Sequence, residues 1–178
     1  MILTEKCLRR NVIYDGKIIK VRRDDAVLPN GKVCVREVVQ HNGGSCVLFV
    51  KDGKVLLVKQ FRYAYQEELW ELPAGKLNAG EGPEETARRE LEEETGFVAE
   101  KLTLLNVIYP SPGYTDEKIY IYRAEAADGG AAHPDEDEFL NSELVPLEKV
   151  AEMIRTGKIR DAKTIIGVQS YLIDRENI

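Results

Sequence analysis

The chain has 178 residues, of which 43% are hydrophobic and 31% are charged, a composition typical of an ordinary soluble globular protein. A net charge of −6 argues against a broad nucleic-acid or membrane surface, although a bound divalent cation or local arginines could still accommodate a small anionic substrate. The longest apolar runs are far too short to cross a bilayer, and the first ten residues lack the apolar segment of a signal peptide.

The first sixty residues predict three β-hairpins. Asn-Gly or Asp-Gly pairs, which tolerate the positive φ of tight turns, lie between apolar runs in NVIYDGKIIKV, AVLPNGKVCVREVV and VLFVKDGKVLLV. The segment HNGG, residues 41–44, separates the first two hairpins from the third. We therefore expect a small N-terminal antiparallel sheet over residues 1–43 and a second domain over residues 44–178.

The three cysteines, Cys7, Cys34 and Cys46, lie far apart and form no C-x-x-C motif. An odd number without a framework indicates free thiols in a protein of the reducing cytoplasm. Each is most simply a small buried hydrophobic side chain.

From Gly80 the chain becomes helical in composition, with Pro83 suited to the first helical turn and Gly96 to the left-handed residue after the last turn. Two strand-like segments, KLTLLNVIYP and KIYIYRAEA, flank a turn-rich stretch, and a polar loop, ADGGAAHPDEDE, follows them. Two helical segments end the chain, the second with Asp161 as its candidate N-cap. This partial alternation predicts an α/β (α+β) fold with a mixed sheet flanked by helices.

Four glutamates crowd the C-terminal end of the first predicted helix, in RRELEEETGF. At about 100° per residue, Glu93 and Glu94 fall within about 60° of Glu90, so three carboxylates share one face. Like charges repel there, and anions oppose the negative end of the helix dipole. A hard divalent cation, which prefers oxygen ligands, would make this face favourable, and a solvated acidic face is the alternative.

The spacing around this helix favours the metal-binding interpretation. The segment GKLNAGEGPEETARRELEEETGF, Gly75 to Phe97, matches all nine defined positions of the Nudix box across 23 residues, and the chain resembles the Nudix hydrolase family. The resemblance implies a Nudix-type α/β/α sandwich in which a loop–helix–loop holds Mg²⁺ or Mn²⁺. It also implies hydrolysis of a pyrophosphate joined to another moiety.

Roles are carried over residue by residue from this resemblance. The implied metal ligands are the side chains of Glu90, Glu93 and Glu94 and the carbonyl oxygen of Ala74. Glu93 also counts among the catalytic residues, together with Arg89, which with Glu81 resembles an orienting partner. Gly75 and Gly96 would serve the backbone turns.

Features outside the box resemble the ADP-ribose pyrophosphatase branch of the family. Pro112 lies sixteen residues after Gly96. In VKQFRYAYQEELWELPAGK, Arg62 would contact the substrate phosphates and Glu71 would help to hold the substrate, although Arg62 could equally be a surface cation. In the N-terminal strands, Arg36 matches a substrate-binding arginine, and Tyr14 could stack on adenine or serve as a core strand residue.

The same branch implies a homodimer formed by exchange of the N-terminal sheet, and a further glutamate on a later loop that activates water. HPDEDEFL supplies the candidates, with Glu138 as the first choice and Glu136 as the second. Together these features predict hydrolysis of ADP-ribose, a small-molecule substrate, to AMP and ribose 5-phosphate, with no nucleic-acid or membrane partner.

Other interpretations stay open at this stage. The substrate could be another sugar nucleotide such as GDP-mannose, a dinucleotide such as NADH, or a nucleoside triphosphate, and a catalytically silent nucleotide-binding module is a further alternative. The two histidines, His41 and His133, lie in turn-like contexts, and no serine has a nucleophile-elbow setting, so a hydrolase triad is poorly supported. Without Cys/His clustering we do not expect a zinc site.

Overall fold

The computed structural model describes residues 3–126, 129–134 and 138–176. These residues form eleven strands and three helices. The strands are β1 (Lys6–Arg9), β2 (Val12–Asp15), β3 (Lys20–Val27), β4 (Val33–Gln40), β5 (Gly44–Lys51), β6 (Lys54–Arg62), β7 (Glu67–Glu71), β8 (Ala74–Lys76), β9 (Ala99–Ile108), β10 (Ile119–Ala126) and β11 (Leu140–Pro146). The helices are α1 (Pro83–Thr95), α2 (Leu147–Arg155) and α3 (Ala162–Glu176).

The first of two compact units comprises Met1–Gly43 and Tyr109–Lys118. Its sheet is antiparallel, and β4 pairs with one edge of β3. On the opposite edge of β3, β2 pairs with the first half of the strand and β1 with the second half. The Asn30-Gly31 turn between β3 and β4 has φ +82° at Gly31, as the hairpin motif predicted. The sequence-based division at residue 43 did not include Tyr109–Lys118, and the dimerisation role of residues 1–43 stays a prediction.

The second unit comprises Gly44–Ile108 and Ile119–Ile178 and contains a mixed sheet centred on β5. Strand β5 runs parallel to β10 and antiparallel to β6 and β8, while β9 pairs with β10, and β7 and β11 pair with β6. The β5–β6 hairpin turns through Asp52 and Gly53, both with positive φ. The predicted mixed sheet is therefore confirmed.

Strand β5 is buried on both faces and so separates two apolar clusters. Cys46 and Leu48 face the cluster that includes Val150 of α2 and Val168 of α3, while Val47 and other alternate residues face the cluster of α1. Helices thus cover both faces of the sheet, which confirms the predicted α/β/α arrangement.

The three predicted hairpins and all three predicted helices are present. Asp161 caps α3, since its Oδ2 accepts a hydrogen bond from the Thr164 backbone N–H at 3.0 Å. Strands β1, β7, β8 and β11 were not predicted, because they have neither a flanking Asn-Gly or Asp-Gly turn nor a long apolar run. No helix in the described parts of the chain is long and apolar enough to span a membrane.

Candidate active site

Helix α1 is fixed at both ends by its own backbone chemistry. At its start, the Gly82 N–H donates to Glu85 Oε2 at 2.8 Å, and Pro83 occupies the first turn. At its end, Gly96 adopts φ +76° and donates its N–H to the Glu92 carbonyl at 2.7 Å. Ala87 and Leu91 are fully buried in the core, which fixes the rotation of the helix and the direction of its acidic face.

Two of the predicted metal-binding glutamates are buried rather than solvated. Glu90 is 6% exposed and Glu94 is 2% exposed. The Ala74 backbone N–H donates to Glu94 Oε2 at 3.0 Å. The Glu90 carboxylate lies so close to Gly75 that a Cβ at position 75 would overlap it. Glycine at position 75 therefore leaves the space in which the Glu90 carboxylate lies against strand β8.

Burial shifts the protonation of this pair. Burial and then the charge of Glu90 raise the pKa of Glu94 to about 8, against the smaller effects of the Ala74 N–H and Arg62. Burial also raises the pKa of Glu90 to about 6, although the Arg89 guanidinium opposes this shift. Two adjacent buried carboxylates with raised pKa values mark a site whose ionised form is only partly compensated by the protein.

Arg89 connects the acidic face to the preceding loop. Its Nε and Nη2 donate to the two carboxylate oxygens of Glu81 at 2.8 and 3.1 Å, and its Nη1 donates to Glu90 Oε1 at 2.7 Å and Glu93 Oε2 at 2.8 Å. The Arg89 hydrogen bonds are the main cause that holds the pKa of Glu81 at about 2. This geometry suits the orienting role predicted for Arg89 and Glu81.

The donor set fits a hard divalent cation by its chemistry, because every predicted ligand is an oxygen and the two buried carboxylates lack full compensation. Arg89 Nη1 lies between Glu90 and Glu93. Within the ranges that the structure describes, no three acidic, histidine or cysteine side chains are gathered at metal-binding separations. The assignment of Ala74, Glu90, Glu93 and Glu94 as ligands stays a prediction.

The polar loop that follows β10 is anchored to the end of α1. The Gly130 N–H donates to the Gly96 carbonyl at 2.7 Å, and the His133 N–H donates to the Glu93 carbonyl at 2.8 Å. Further along, the charge of Glu138 adds to burial in raising the pKa of both Glu90 and Glu94, so Glu138 lies within electrostatic reach of the pair. Glu136, the second candidate for activation of water, lies outside the described residues.

Arg62, the last residue of β6, and Glu71, the last residue of β7, form a bidentate salt bridge. Arg62 Nε and Nη2 donate to the two oxygens of Glu71 at 2.7 and 2.8 Å, and the Glu71 side chain is 2% exposed. Arg62 is thus a partly exposed cation at a strand end that is paired with a buried carboxylate, and its contact with the substrate phosphates stays a prediction. Its charge also acts on Glu94, which places it within electrostatic reach of the acidic face.

The other predicted substrate residues belong to the first unit. Tyr14 is 57% exposed on β2 with its ring over Gly16, so its alternative assignment as a core residue is wrong. Arg36 donates from Nε and Nη2 to the carboxylate of Glu5 at 2.9 and 2.6 Å. Pro112 is exposed in a turn. Substrate binding by these three residues stays a prediction.

Sequence reasoning missed Lys163, which donates from Nζ to Glu71 Oε2 and, at 3.0 Å, to Asp161 Oδ1. One signal was available, since Lys163 lies in the first turn of α3, where a cation faces the positive end of the helix dipole. A lysine in that position indicates a partner that outweighs the dipole.

Two family models together match most of the chain. A model described as NUDIX domain matches residues 39–166, and one described as nucleoside diphosphate sugar hydrolase N-terminal domain matches residues 5–39. The boundary between the two models lies close to the start of β5.

Individual relatives match over nearly their full length. An ADP-ribose pyrophosphatase of Bacillus subtilis (strain 168) is 44% identical over 170 residues, covering 94% of this chain and 92% of the relative. A GDP-mannose pyrophosphatase of Enterobacter sp. (strain 638) is 34% identical over 171 residues, covering 90% of this chain and 85% of the relative. A crystal structure of an ADP compounds hydrolase shares the fold, with a TM-score of 0.88 at 21% identity over 99% of this chain and 97% of that chain.

Proposed function

This chain belongs to the Nudix hydrolase family, and we propose that it hydrolyses the pyrophosphate bond of ADP-ribose to AMP and ribose 5-phosphate. The 44% identical ADP-ribose pyrophosphatase, which aligns with nearly the whole chain, supports this substrate. The match to a nucleoside diphosphate sugar hydrolase N-terminal domain supports the wider substrate class.

The observation that carries the proposal is the burial of Glu90 and Glu94 against β8. A buried carboxylate that is only partly compensated destabilises a fold, so we infer that this pair is retained because it binds a cation. We propose Mg²⁺ or Mn²⁺ as that ligand, held by the side chains of Glu90, Glu93 and Glu94 and by the Ala74 carbonyl. When bound, the cation would neutralise phosphate charge and acidify a water.

The protein's own residues provide orientation and further charge. Arg89 and Glu81 fix the acidic face from one side. The Arg62 guanidinium, held at the end of β6, attracts the substrate phosphates. Glu138, or alternatively Glu136, orients the attacking water and accepts its proton.

We further propose that the protein acts as a homodimer in the cytoplasm. The N-terminal sheet exposes apolar side chains that a second copy would cover, among them Ile13 (61% exposed), Ile18 (57%) and Val33 (67%). Across that dimer, Tyr14, Arg36 and Pro112 would contribute to the nucleoside side of the pocket. All three cysteines are free, which is consistent with a reducing compartment. The expected burial holds for Cys46 and is wrong for Cys7, which is exposed.

Product analysis from ADP-ribose in H₂¹⁸O with Mg²⁺ tests this proposal. We expect AMP and ribose 5-phosphate in equal amounts, with the label in one of the two products, which identifies the phosphorus that is attacked. Absence of turnover with both Mg²⁺ and Mn²⁺ would contradict the proposal.

GDP-mannose is the second candidate, because a GDP-mannose pyrophosphatase is 34% identical over 90% of this chain. A panel of ADP-ribose, GDP-mannose, NADH and a nucleoside triphosphate decides between the substrates. We expect kcat/KM for ADP-ribose to exceed that for each of the others by more than about tenfold, which corresponds to about 1.4 kcal/mol. Tight binding of these compounds without turnover would instead indicate a nucleotide-binding module.

A further inference from the structure

The Arg62–Glu71 pair depends on a third group that has no role in the mechanism given above. Glu71 is 2% exposed, and a carboxylate so buried is stable only when both oxygens are matched by cations or other donors. Arg62 Nε takes Oε1 at 2.7 Å, while Oε2 accepts from Arg62 Nη2 at 2.8 Å and also from Lys163 Nζ. Glu71 is thus occupied on both oxygens within its own chain.

This occupation changes the role expected for Glu71. A carboxylate whose oxygens are both engaged is poorly placed to hold a substrate, but it is well placed to hold an arginine. Arg62 binds Glu71 through Nε and Nη2, and its side chain is 40% exposed. Its third guanidinium nitrogen, Nη1, has no hydrogen-bond partner in the described portion of the chain. A planar guanidinium fixed along one edge in this way offers its remaining N–H groups in one direction.

Lys163 is held as firmly as the pair it supports. Its side chain is 11% exposed, and it bridges Glu71 and Asp161. Asp161 in turn accepts from the backbone N–H and the hydroxyl of Thr164, at 3.0 and 2.6 Å. Thr164 Oγ1 also accepts from the Leu72 N–H at 2.8 Å, so the first turn of α3 is tied to the residue that follows Glu71.

The four ionised groups balance one another, since Arg62 and Lys163 supply two positive charges and Glu71 and Asp161 two negative charges. If Lys163 were neutral, Arg62 would be the one cation among the described residues that still compensates the buried Glu71 carboxylate. Glu71 would then neutralise the charge of Arg62, and Arg62 would attract an approaching phosphate less strongly. The placement of Lys163 therefore leaves part of the Arg62 charge available at the surface.

We propose that Lys163 is a positioning residue that neutralises the buried face of Glu71, so that Glu71 can present Arg62 to the substrate phosphates. This inference rests on the proposed function, because it concerns the same pyrophosphate site. It gives Glu71 a supporting role in place of direct substrate binding. It also makes the first turn of α3 part of the phosphate-binding apparatus.

Steady-state kinetics of Lys163→Met test the proposal, with whichever nucleoside diphosphate sugar of the panel the wild-type protein hydrolyses fastest. Arg62 contacts the phosphates before and during reaction, so we expect KM to rise about tenfold with kcat changed less than about twofold. Lys149→Met is the matched control, because Lys149 is an exposed lysine of α2 that pairs with Glu152, and it should leave both constants unchanged. A fall in kcat at unchanged KM would overturn the proposal, since it would show a loss of active protein.

A double-mutant cycle with Arg62→Ala gives the second readout. Because Lys163 acts through Arg62, Lys163→Met should change kcat/KM less than about twofold in the Arg62→Ala background. Additive losses would overturn the proposal. Lys163→Gln keeps a donor to Glu71 without the charge, and it is the second variant if Lys163→Met does not fold. If both unfold at the assay temperature, Lys163 is a structural residue and the proposal fails, whereas an inactive wild-type protein would contradict the proposed function instead.

Discussion

Burial distinguishes Glu90 and Glu94 from the other acidic side chains of α1. Glu92 and Glu84 are exposed, and Glu93 is half-buried. The helical wheel placed Glu90, Glu93 and Glu94 on one face. It could not show that the packing of β8 buries Glu90 and Glu94 but leaves Glu93 half-buried. At the scale of single residues, the candidate site is therefore defined by the two carboxylates that the fold excludes from solvent.

Gly75→Ala tests the contact that buries Glu90. The added Cβ would overlap the Glu90 carboxylate, so we expect the side chain to be displaced and turnover of ADP-ribose to fall by at least about tenfold, while the protein stays folded. Gly130→Ala is the matched control, because a Cβ there meets no atom within 4 Å. Equal activities of the two variants in a coupled phosphate-release assay would show that the position of Glu90 does not matter.

Glu71→Gln tests the buried ion pair through pH. Burial opposes ionisation of Glu71, but Arg62 and Lys163 outweigh it and lower its pKa from 4.5 to about 2. A lowered pKa stabilises the folded state above pH 4.5, and this stabilisation is lost as the pH falls towards 2. Urea unfolding should therefore show the largest deficit of Glu71→Gln near pH 7 and a smaller deficit at pH 3.

The control for this pH series is Glu68→Gln on the same strand, since Glu68 is 61% exposed and its removal should cost little at any pH. A deficit of Glu71→Gln that is the same at pH 7 and pH 3 would contradict the account of the ion pair.

At the scale of elements, the C-terminal end of α1 is also the anchor of the loop that leads to Glu138. Gly96 needs φ +76°, and a Cβ there would overlap the backbone of Gly130. Gly31 also has a positive φ, +82°, but a Cβ there would meet no atom within 4 Å. Comparing alanine at the two positions therefore separates backbone strain from the docking of the loop.

We expect Gly96→Ala to lower the free energy of unfolding by at least about 1 kcal/mol more than Gly31→Ala, because it adds a backbone overlap to the same strain. We also expect only Gly96→Ala to reduce turnover, since it displaces the segment before Glu138. Urea unfolding and initial rates of the two variants provide the comparison. Matching losses at the two positions would show that the loop is not docked on α1.

The elements that sequence predicted are those with strong local rules. Asp-Gly and Asn-Gly turns located the three hairpins, and Pro83 and Gly96 delimited α1. The hydrogen bonds of Lys163 and Arg62 to Glu71 could not be predicted in the same way. The bond from Lys163 joins residues 92 positions apart, which β-pairing and helix docking bring together. Thus the acidic face was predictable from the sequence, whereas the packing that buries it was not.

At the scale of the whole molecule, the apolar surface of the N-terminal sheet predicts self-association. We expect the wild-type protein to sediment as a dimer of about 40 kDa, twice the 20.1 kDa chain. Ile13→Lys, on β2, should give a monomer and lower turnover, because a charge there opposes burial by a second copy. Ile173→Lys, which alters a similarly exposed side chain on α3, should leave the dimer intact.

A monomeric wild-type protein at concentrations of tens of micromolar in sedimentation equilibrium would contradict the dimer.

The turnover number of Glu94→Gln with ADP-ribose and Mg²⁺ is the most direct test of whether the acidic face of α1 binds a catalytic cation. Glu94 is the most deeply buried acid of α1, and glutamine keeps its shape while removing the charge that a divalent cation requires. We expect kcat to fall by about a thousandfold or more, while circular dichroism and thermal unfolding show an intact fold. A variant that keeps the wild-type kcat would contradict the account.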